Sequence, residues 1–329
     1  MPQIEKFALR AGGYGRRHRL DIGLVNNMPD AALRATEMQF ARLLKSCATA
    51  IDVRLQLFSL PGIERSAETR ARMEGFYAST ETLASTALDA LIVTGSEPRA
   101  SDMRDEPYWP HMAALVDWAS RSTLSTLWSC LGAHAAVLHL DGIARVPLAE
   151  KRSGVFACER VHDDPLFARM RERFHTPHSR RNTLDEKELA AHGYRILSRI
   201  SGGGVDIFTR RAPSHFVFFQ GHPEYDAISL GREYLRDATR FLRGESPVYP
   251  ALPKGYFDAR SEEALAALAE AALRDPASVS AARLGDIVTL SAPEHPWRAS
   301  AVQLYANWLR GILADKARRE ARPAQKKRA

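Results

Sequence analysis

Cys130 closes an apolar run, Leu124-Ser-Thr-Leu-Trp-Ser-Cys-Leu-Gly-Ala-His134, and small residues follow it. A buried strand that stops at a Cys and turns straight into a helix leaves the thiol beside the helix N-terminus. Backbone N–H groups and the helix dipole favour a thiolate there. A second strand end, Phe216-Val-Phe-Phe-Gln-Gly-His-Pro-Glu-Tyr-Asp226, offers His222 and Glu224. A thiolate attacks an activated acyl carbon, and a His within reach takes the thiol proton and later that of an alcohol or water. Glu224 would orient the imidazole and stabilise its charged form. The Pro between them sets the pair in a rigid turn. The tetrahedral oxyanion needs backbone donors. The candidates are the N–H of Leu131 and that of Ser96, after Gly95.

The remaining Cys and His residues read differently. Cys47 and Cys158 show neither disulfide nor zinc spacing with Cys130 and are expected in the core. His18, His111, His139, His162, His192 and His215 are read as structural. No two His or Cys have convincing ligand spacing, so no metal is expected. A reduced, cytoplasmic protein follows from the cysteine usage and from the lack of a charged-then-apolar N-terminal pattern. No run approaches the roughly 18 apolar residues of a membrane span. The net charge of +7 is concentrated at one end: from Lys316 onward there are seven Lys or Arg against Glu320. Such a stretch is expected to be a solvated, disordered tail. With no recognition motif or aromatic platform beside it, nucleic acid is not an expected partner.

The elements that must position these residues are legible from periodicity. Residues 1–19 read as an irregular lead-in with Gly12, Gly13 and Gly15. Leu20–Val25, Ile51–Leu57 and Leu88–Thr94 read as strands. Ala31–Lys45, a charged stretch near 64–75, Tyr108–Ser120 and the segment from Cys130 to Leu140 read as helices. In the second half Tyr194–Ile200, Val205–Arg211 and His215–Gln220 are short strands in quick succession. Helices are expected over 226–242, over the Ala-rich 261–274, and over 297–317. Strand-helix alternation implies an α/β fold, a mostly parallel sheet with helices on both faces. Ligands bind such sheets beyond the carboxyl ends of the strands, where Gly95, Cys130 and His222 all lie. A single domain over 20–315 is expected, with 258–293 as an insertion and 316–329 as the basic tail.

Cys130-Leu-Gly followed by Gly221-His-Pro-Glu224 resembles the class I glutamine amidotransferase pattern. Longer segments narrow the likeness. They are Asn26-Asn-Met-Pro29 with Thr36-Glu-Met-Gln-Phe40, Leu91-Ile-Val-Thr-Gly95, Tyr108-Trp109, Pro177-His-Ser-Arg180, Gly221-His-Pro-Glu-Tyr-Asp226, Glu233-Tyr-Leu-Arg-Asp237, and Trp297-Arg298 with Asn307-Trp-Leu309. In this order, from about residue 20 to 312, they resemble the homoserine O-acyltransferases, usually called homoserine O-succinyltransferases.

The resemblance implies an amidotransferase-like (flavodoxin-like) α/β fold with extra C-terminal helices, and ping-pong transfer of an acyl group from succinyl-CoA or acetyl-CoA to L-homoserine in methionine biosynthesis. Cys130 would carry the acyl group, His222 would act as base, and Glu224 would support it. Arg236 matches the family's arginine for the amino acid carboxylate. Lys151 with Ser153-Gly-Val155, and Ser179 within His178-Ser-Arg180, match further substrate-pocket segments. No bound cofactor is implied, and a homodimer is the family habit. The chain departs from the family at Asp30 and Ala31, where lysines are usual, at Ala299-Ser300, and in its longer stretch over 258–293. These leave the acceptor open. After Gly95 the nearest register places Arg99 at a position bearing on acyl choice, and an arginine there could pair with a succinyl carboxylate. Two other functions stand beside this one: a glutamine amidotransferase-like hydrolase using the same triad, and a non-catalytic binding protein that retains the fold.

Overall fold

The computed structural model describes residues 7–9, 18–47, 51–211, 213–291 and 294–321. In chain order the elements are β1 (Phe7–Leu9), β2 (His18–Val25), α1 (Asp30–Cys47), β3 (Ile51–Ser59), α2 (Ala67–Met73), β4 (Tyr77–Ser79) and β5 (Ala90–Thr94). Next come α3 (Trp109–Ser122), β6 (Ser125–Ser129), α4 (Leu131–Asp141), β7 (Val146–Arg160), β8 (Arg173–Thr183) and α5 (Glu186–Ala191). The chain continues through β9 (Arg195–Ile200), β10 (Val205–Arg211), β11 (His215–Phe219), α6 (Ser229–Leu242), α7 (Ala259–Arg274), α8 (Ala281–Leu290) and α9 (Arg298–Ala321).

One sheet carries these strands in the order β1-β3-β2-β5-β6-β11-β10-β9-β7-β8, with β4 pairing β3 off that path. β3, β2, β5, β6 and β11 are mutually parallel. Renumbered among themselves, they run 2-1-3-4-5, the flavodoxin-type order. The next strands, β10, β9, β7 and β8, pair antiparallel. β5 and β6 are buried along their whole length, as strands covered on both faces must be. One face packs Leu20, Ile22, Ile92 and Leu127 against Phe40 and Leu43 of α1 and Trp308 and Leu309 of α9. The other packs Val93, Trp128 and Phe218 against Met112 and Val116 of α3 and Ala133 and Val137 of α4. A third cluster joins α6, α7 and α8 around Leu230, Tyr234, Leu265, Leu284 and Trp297. The expected mostly parallel sheet with helices on both faces is therefore present.

Several expectations need correction. Phe7–Leu9, inside the supposed irregular lead-in, pairs antiparallel with β3. Gly12, Gly13 and Gly15 lie outside the described residues. α9 runs to Ala321, so Lys316 belongs to a helix, and its Nζ reaches Asp89 Oδ2 at 2.7 Å. The remainder of the basic tail, 322–329, lies outside the described residues. The β7–β8 hairpin had no counterpart in the periodicity reading. β7 is charged and mostly exposed or half-buried, so it lacks the apolar alternation that marks a strand. Periodicity does not mark α8 either; only Leu284 and Val288 of it are buried.

The turn from β6 into α4 is shaped by two glycines. A methyl group on Gly95 would lie 2.3 Å from Leu131 Cβ and 2.5 Å from Gly132 N. One on Gly132 would lie 2.7 Å from the Val93 carbonyl oxygen. The end of β5 and the start of α4 therefore touch backbone to backbone. Gly95→Ala should force them apart and lower stability by about 1–3 kcal/mol, as overpacking does. A thermal melt matching the wild type would show that the contact yields without cost.

Candidate active site

Cys130 occupies the single residue between β6 and α4. Its φ of 48° and ψ of −113° are unusual for a residue with a Cβ. Hydrogen bonds hold it there: its N–H donates to the Phe219 carbonyl at 2.7 Å, and its own carbonyl accepts from Ala133 N at 2.9 Å. The turn leaves the thiol partly exposed, whereas Cys47 and Cys158 are buried. Burial pushes the Cys47 thiol up to about 12 and raises Cys158 as well, so both are poor nucleophiles. Of the three cysteines only Cys130 is placed to react.

His222 follows β11 and is anchored by its backbone N–H, which donates to the Pro177 carbonyl of β8 at 2.8 Å. Its ring Nδ1 meets Glu224 Oε1 at 2.8 Å, which leaves Nε2 for the thiol. The ring is stacked on Tyr225, with centroids 4.3 Å apart. Burial disfavours the imidazolium, but the Cys130 thiolate and Glu224, by charge and by hydrogen bonding, hold His222 well above its ordinary range. The protonated imidazolium is thus the favoured form of His222. Ser129 Oγ approaches Glu224 Oε1 at 3.5 Å, while Oε2 is buried without a hydrogen-bond partner among the described residues.

The structure brings three of the four candidate substrate residues to one place. Tyr225 donates to Glu233 Oε1 at 2.5 Å, and Ser179 Oγ donates to the other oxygen of Glu233. Lys151 Nζ lies 2.8 Å from Asp237 Oδ2 and 3.9 Å from Glu233 Oε2. Arg236 Nε bonds Asp237 Oδ1 at 2.8 Å. Burial opposes ionisation of Asp237, but Lys151 and Arg236 outweigh it and lower its pKa. These groups form a charged rim on α6, linked to His222 through Tyr225. Arg99 stands apart: its side chain is 82% exposed and pairs with Glu64 at 2.5 Å. The expected role at an acyl carboxylate therefore has no support from its position. Leu131 opens α4, where helix N–H groups have no intrahelical acceptor. Ser96 follows the glycine packed on Leu131, so both oxyanion candidates share one edge.

Behind His222 lies a buried polar cluster; His178 and Arg180 belong to the Pro177-His-Ser-Arg180 segment read as part of the substrate pocket, whereas Ser198 and Asp206 carry no sequence signal. His178 Nε2 lies 3.3 Å from Asp206 Oδ1, and Ser198 Oγ donates to Asp206 Oδ2 at 2.9 Å. Burial pulls His178 down to about 4, so its ring is neutral. One ligand-type atom each from Cys158, His178 and Asp206 lies within 4.8 Å of the others. Arg180 extends the cluster through Nε, 3.5 Å from His178 Nδ1. These residues come from β7, β8 and β10, and no local motif announces their meeting. Arg65, also missed, is buried and donates to the carbonyls of Met28, at 2.5 Å, and Asn26, at 3.4 Å.

Residues 14–318 match the family model described as homoserine O-succinyltransferase. A Rhodopseudomonas palustris protein named homoserine O-succinyltransferase is 54% identical over 298 residues, covering 90% of this chain and 89% of that one. A Bradyrhizobium japonicum protein of the same name is 49% identical over 320 residues, covering 95% and 97%. A solved glutamine amidotransferase from Thermotoga maritima superposes with a TM-score of 0.48 at 12% identity, covering 91% of this chain and 99% of that one.

The geometry around His222 is open to direct measurement. Glu224→Gln removes one of the two negative charges that raise the imidazole. The titration midpoint of the His222 ring protons, followed by NMR, should fall by about 1–3 units. An unmoved midpoint would mean that Glu224 does not set the charge state of the ring.

Proposed function

The chain belongs to the homoserine O-succinyltransferase family, and from that premise we propose that it moves a succinyl group from succinyl-CoA to the hydroxyl of L-homoserine through a thioester on Cys130. The observation that carries this reading is Cys130 set beside the hydrogen-bonded His222–Glu224 pair at adjacent strand ends, in an acyltransferase family. The Cys130 thiolate adds to the thioester carbonyl, and the oxyanion is met by the N–H groups of Leu131 and Ser96. As the intermediate collapses, the C–S bond to CoA breaks and His222 Nε2 gives its proton to the leaving thiolate. The neutral imidazole then takes the proton of the homoserine hydroxyl as its oxygen attacks the acyl-Cys130 carbonyl. Collapse releases the O-acyl product and restores thiolate and imidazolium. Glu224 holds Nδ1 protonated and faces the positive charge whenever it forms.

For the acceptor, the rim on α6 suits an amino acid zwitterion. Arg236 and Lys151 are cations at its edge and Glu233 is an anion beside Ser179. A guanidinium binds a carboxylate through two parallel hydrogen bonds, which fits Arg236 to the carboxylate end. Asp237 occupies that fork in the free protein, so homoserine would compete with it.

Intact-protein mass after mixing with succinyl-CoA, and separately with acetyl-CoA, tests the reading. A succinyl adduct should appear without acceptor, vanish in Cys130→Ala, and be discharged by homoserine. His222→Asn should slow discharge by about 10²-fold or more. An adduct that persists in Cys130→Ala would end the nucleophile assignment. No adduct from either donor would end the acyl-transfer mechanism.

A further inference from the structure

Two arginines face each other across the β7–β8 hairpin, with no carboxylate paired to either among the described residues. Arg152 and Arg180 are register partners, an arrangement of like charges that weakens a strand pair. Arg180 is 5% exposed. Its Nη1 donates to the Asn182 carbonyl at 2.6 Å and its Nε approaches the neutral His178, but Nη2 is buried with no partner among the described residues. Arg152, half-buried, donates Nη1 to the Gly203 carbonyl at 3.3 Å. Neither guanidinium pairs with a carboxylate among the described residues; Arg180 reaches Asp206 only through the His178 ring. Burial lowers both, and with the Arg152 charge it pulls Arg180 down to about 10. An unneutralised buried cation is costly and asks for a counter-charge.

The pair lies at the catalytic edge of the sheet. The Pro177 carbonyl that anchors His222 is three residues before Arg180 on β8. Gln220 N donates to the Asp206 carbonyl at 2.9 Å, and a methyl on Gly221 would lie 2.9 Å from His178 Nε2. Gly204 leads into β10 at that edge; a methyl there would lie 2.8 Å from Arg152 Nη1 and 3.8 Å from Arg180 Nη2. Both guanidinium groups thus crowd one glycine. The Cys130 thiolate in turn favours the charge on Arg180, so the two feel each other electrostatically.

The reaction offers three anions. The CoA phosphates are separated from the thioester by the whole pantetheine arm and do not come near Cys130. The acceptor's carboxylate is already matched to the α6 rim. The succinyl carboxylate remains, two methylenes from the carbonyl under attack. Resting on the acyl-transfer reading above, we propose that Arg152 and Arg180 form the receptor for the terminal carboxylate of a dicarboxylic acyl group, the place once expected of Arg99. The pair selects such an acyl chain over an uncharged one of equal length.

Two readouts on the full chain separate this from the reading it rests on. In the first, Cys130 is alkylated with iodoacetate, which carries a carboxylate, or iodoacetamide, which does not, with a small free thiol as reference for the two reagents. The protein should favour iodoacetate about tenfold over that reference, and Arg152→Gln with Arg180→Gln should lose the preference. In the second, acyl-enzyme formation should favour succinyl-CoA over butyryl-CoA, and the double variant should not discriminate. Arg180→Lys retains the charge and should keep part of the preference, which covers the case in which the neutral variant does not fold. Equal treatment of the two alkylating agents by the wild type, or a preference that survives in the double variant, would overturn the proposal. No acylation by any CoA ester, with the iodoacetate preference intact and Arg-dependent, would overturn acyl transfer while leaving an anion receptor beside Cys130.

Discussion

The site depends on a single backbone turn. Cys130 has to leave β6 and enter α4 within one residue, at a φ that L-residues avoid. A residue in such a region costs about 1–3 kcal/mol and persists only where its surroundings insist on it. Here they do. The Phe219 carbonyl takes its N–H, the first turn of α4 takes its carbonyl, and Gly95 and Gly132 let β5 and α4 meet without an intervening side chain. Relaxing the turn would break the β11 contact that places His222 two residues further on from Gln220. The conformation that exposes the thiol is the same one that registers His222 beside it.

From His222 the order spreads outward through polar contacts. Its backbone is tied to β8, its ring to Glu224, and its face to Tyr225. Tyr225 then joins Glu233, which holds Ser179, and the neighbouring Asp237 holds Lys151 and Arg236. The Tyr225 carbonyl accepts from Trp297 Nε1 at 2.9 Å, which ties the site to the segment before α9. The His222 ring is thus fixed by three distant parts of the chain: β8, α6 and the C-terminal segment.

Several residues that carried the family resemblance turn out to be architectural. Asn27 Nδ2 donates to the Thr94 carbonyl at 2.7 Å and joins the loop after β2 to the end of β5. Glu37 accepts from Tyr77 at 2.7 Å, and Tyr77 in turn accepts from Asn26. Asn307 caps the carbonyls of Leu166 and Ala168, and Trp308 donates to Ser125 Oγ at the foot of β6. Buried polar side chains of this kind must be paired, so their identity is constrained as tightly as that of a catalytic group.

The sequence by itself determined the parallel half of the sheet, the helices that cover it, and the three side chains that meet at the candidate site. These are local facts: continuous apolar runs, helical periodicity, and a Cys or Gly-His-Pro-Glu set at the end of a strand. The β7–β8 hairpin escaped it because β7, mostly exposed or half-buried, carries little apolar alternation. What only the tertiary structure decided are the meetings between segments far apart in the chain. Lys151, Ser179 and Arg236 converge on α6, Arg99 turns outward to Glu64, and Arg152 comes opposite Arg180. The physical reason is register. Which side chains face each other across a hairpin depends on pairing that shifts with a single residue, and a polar side chain gives no periodic signal of the partner it will find.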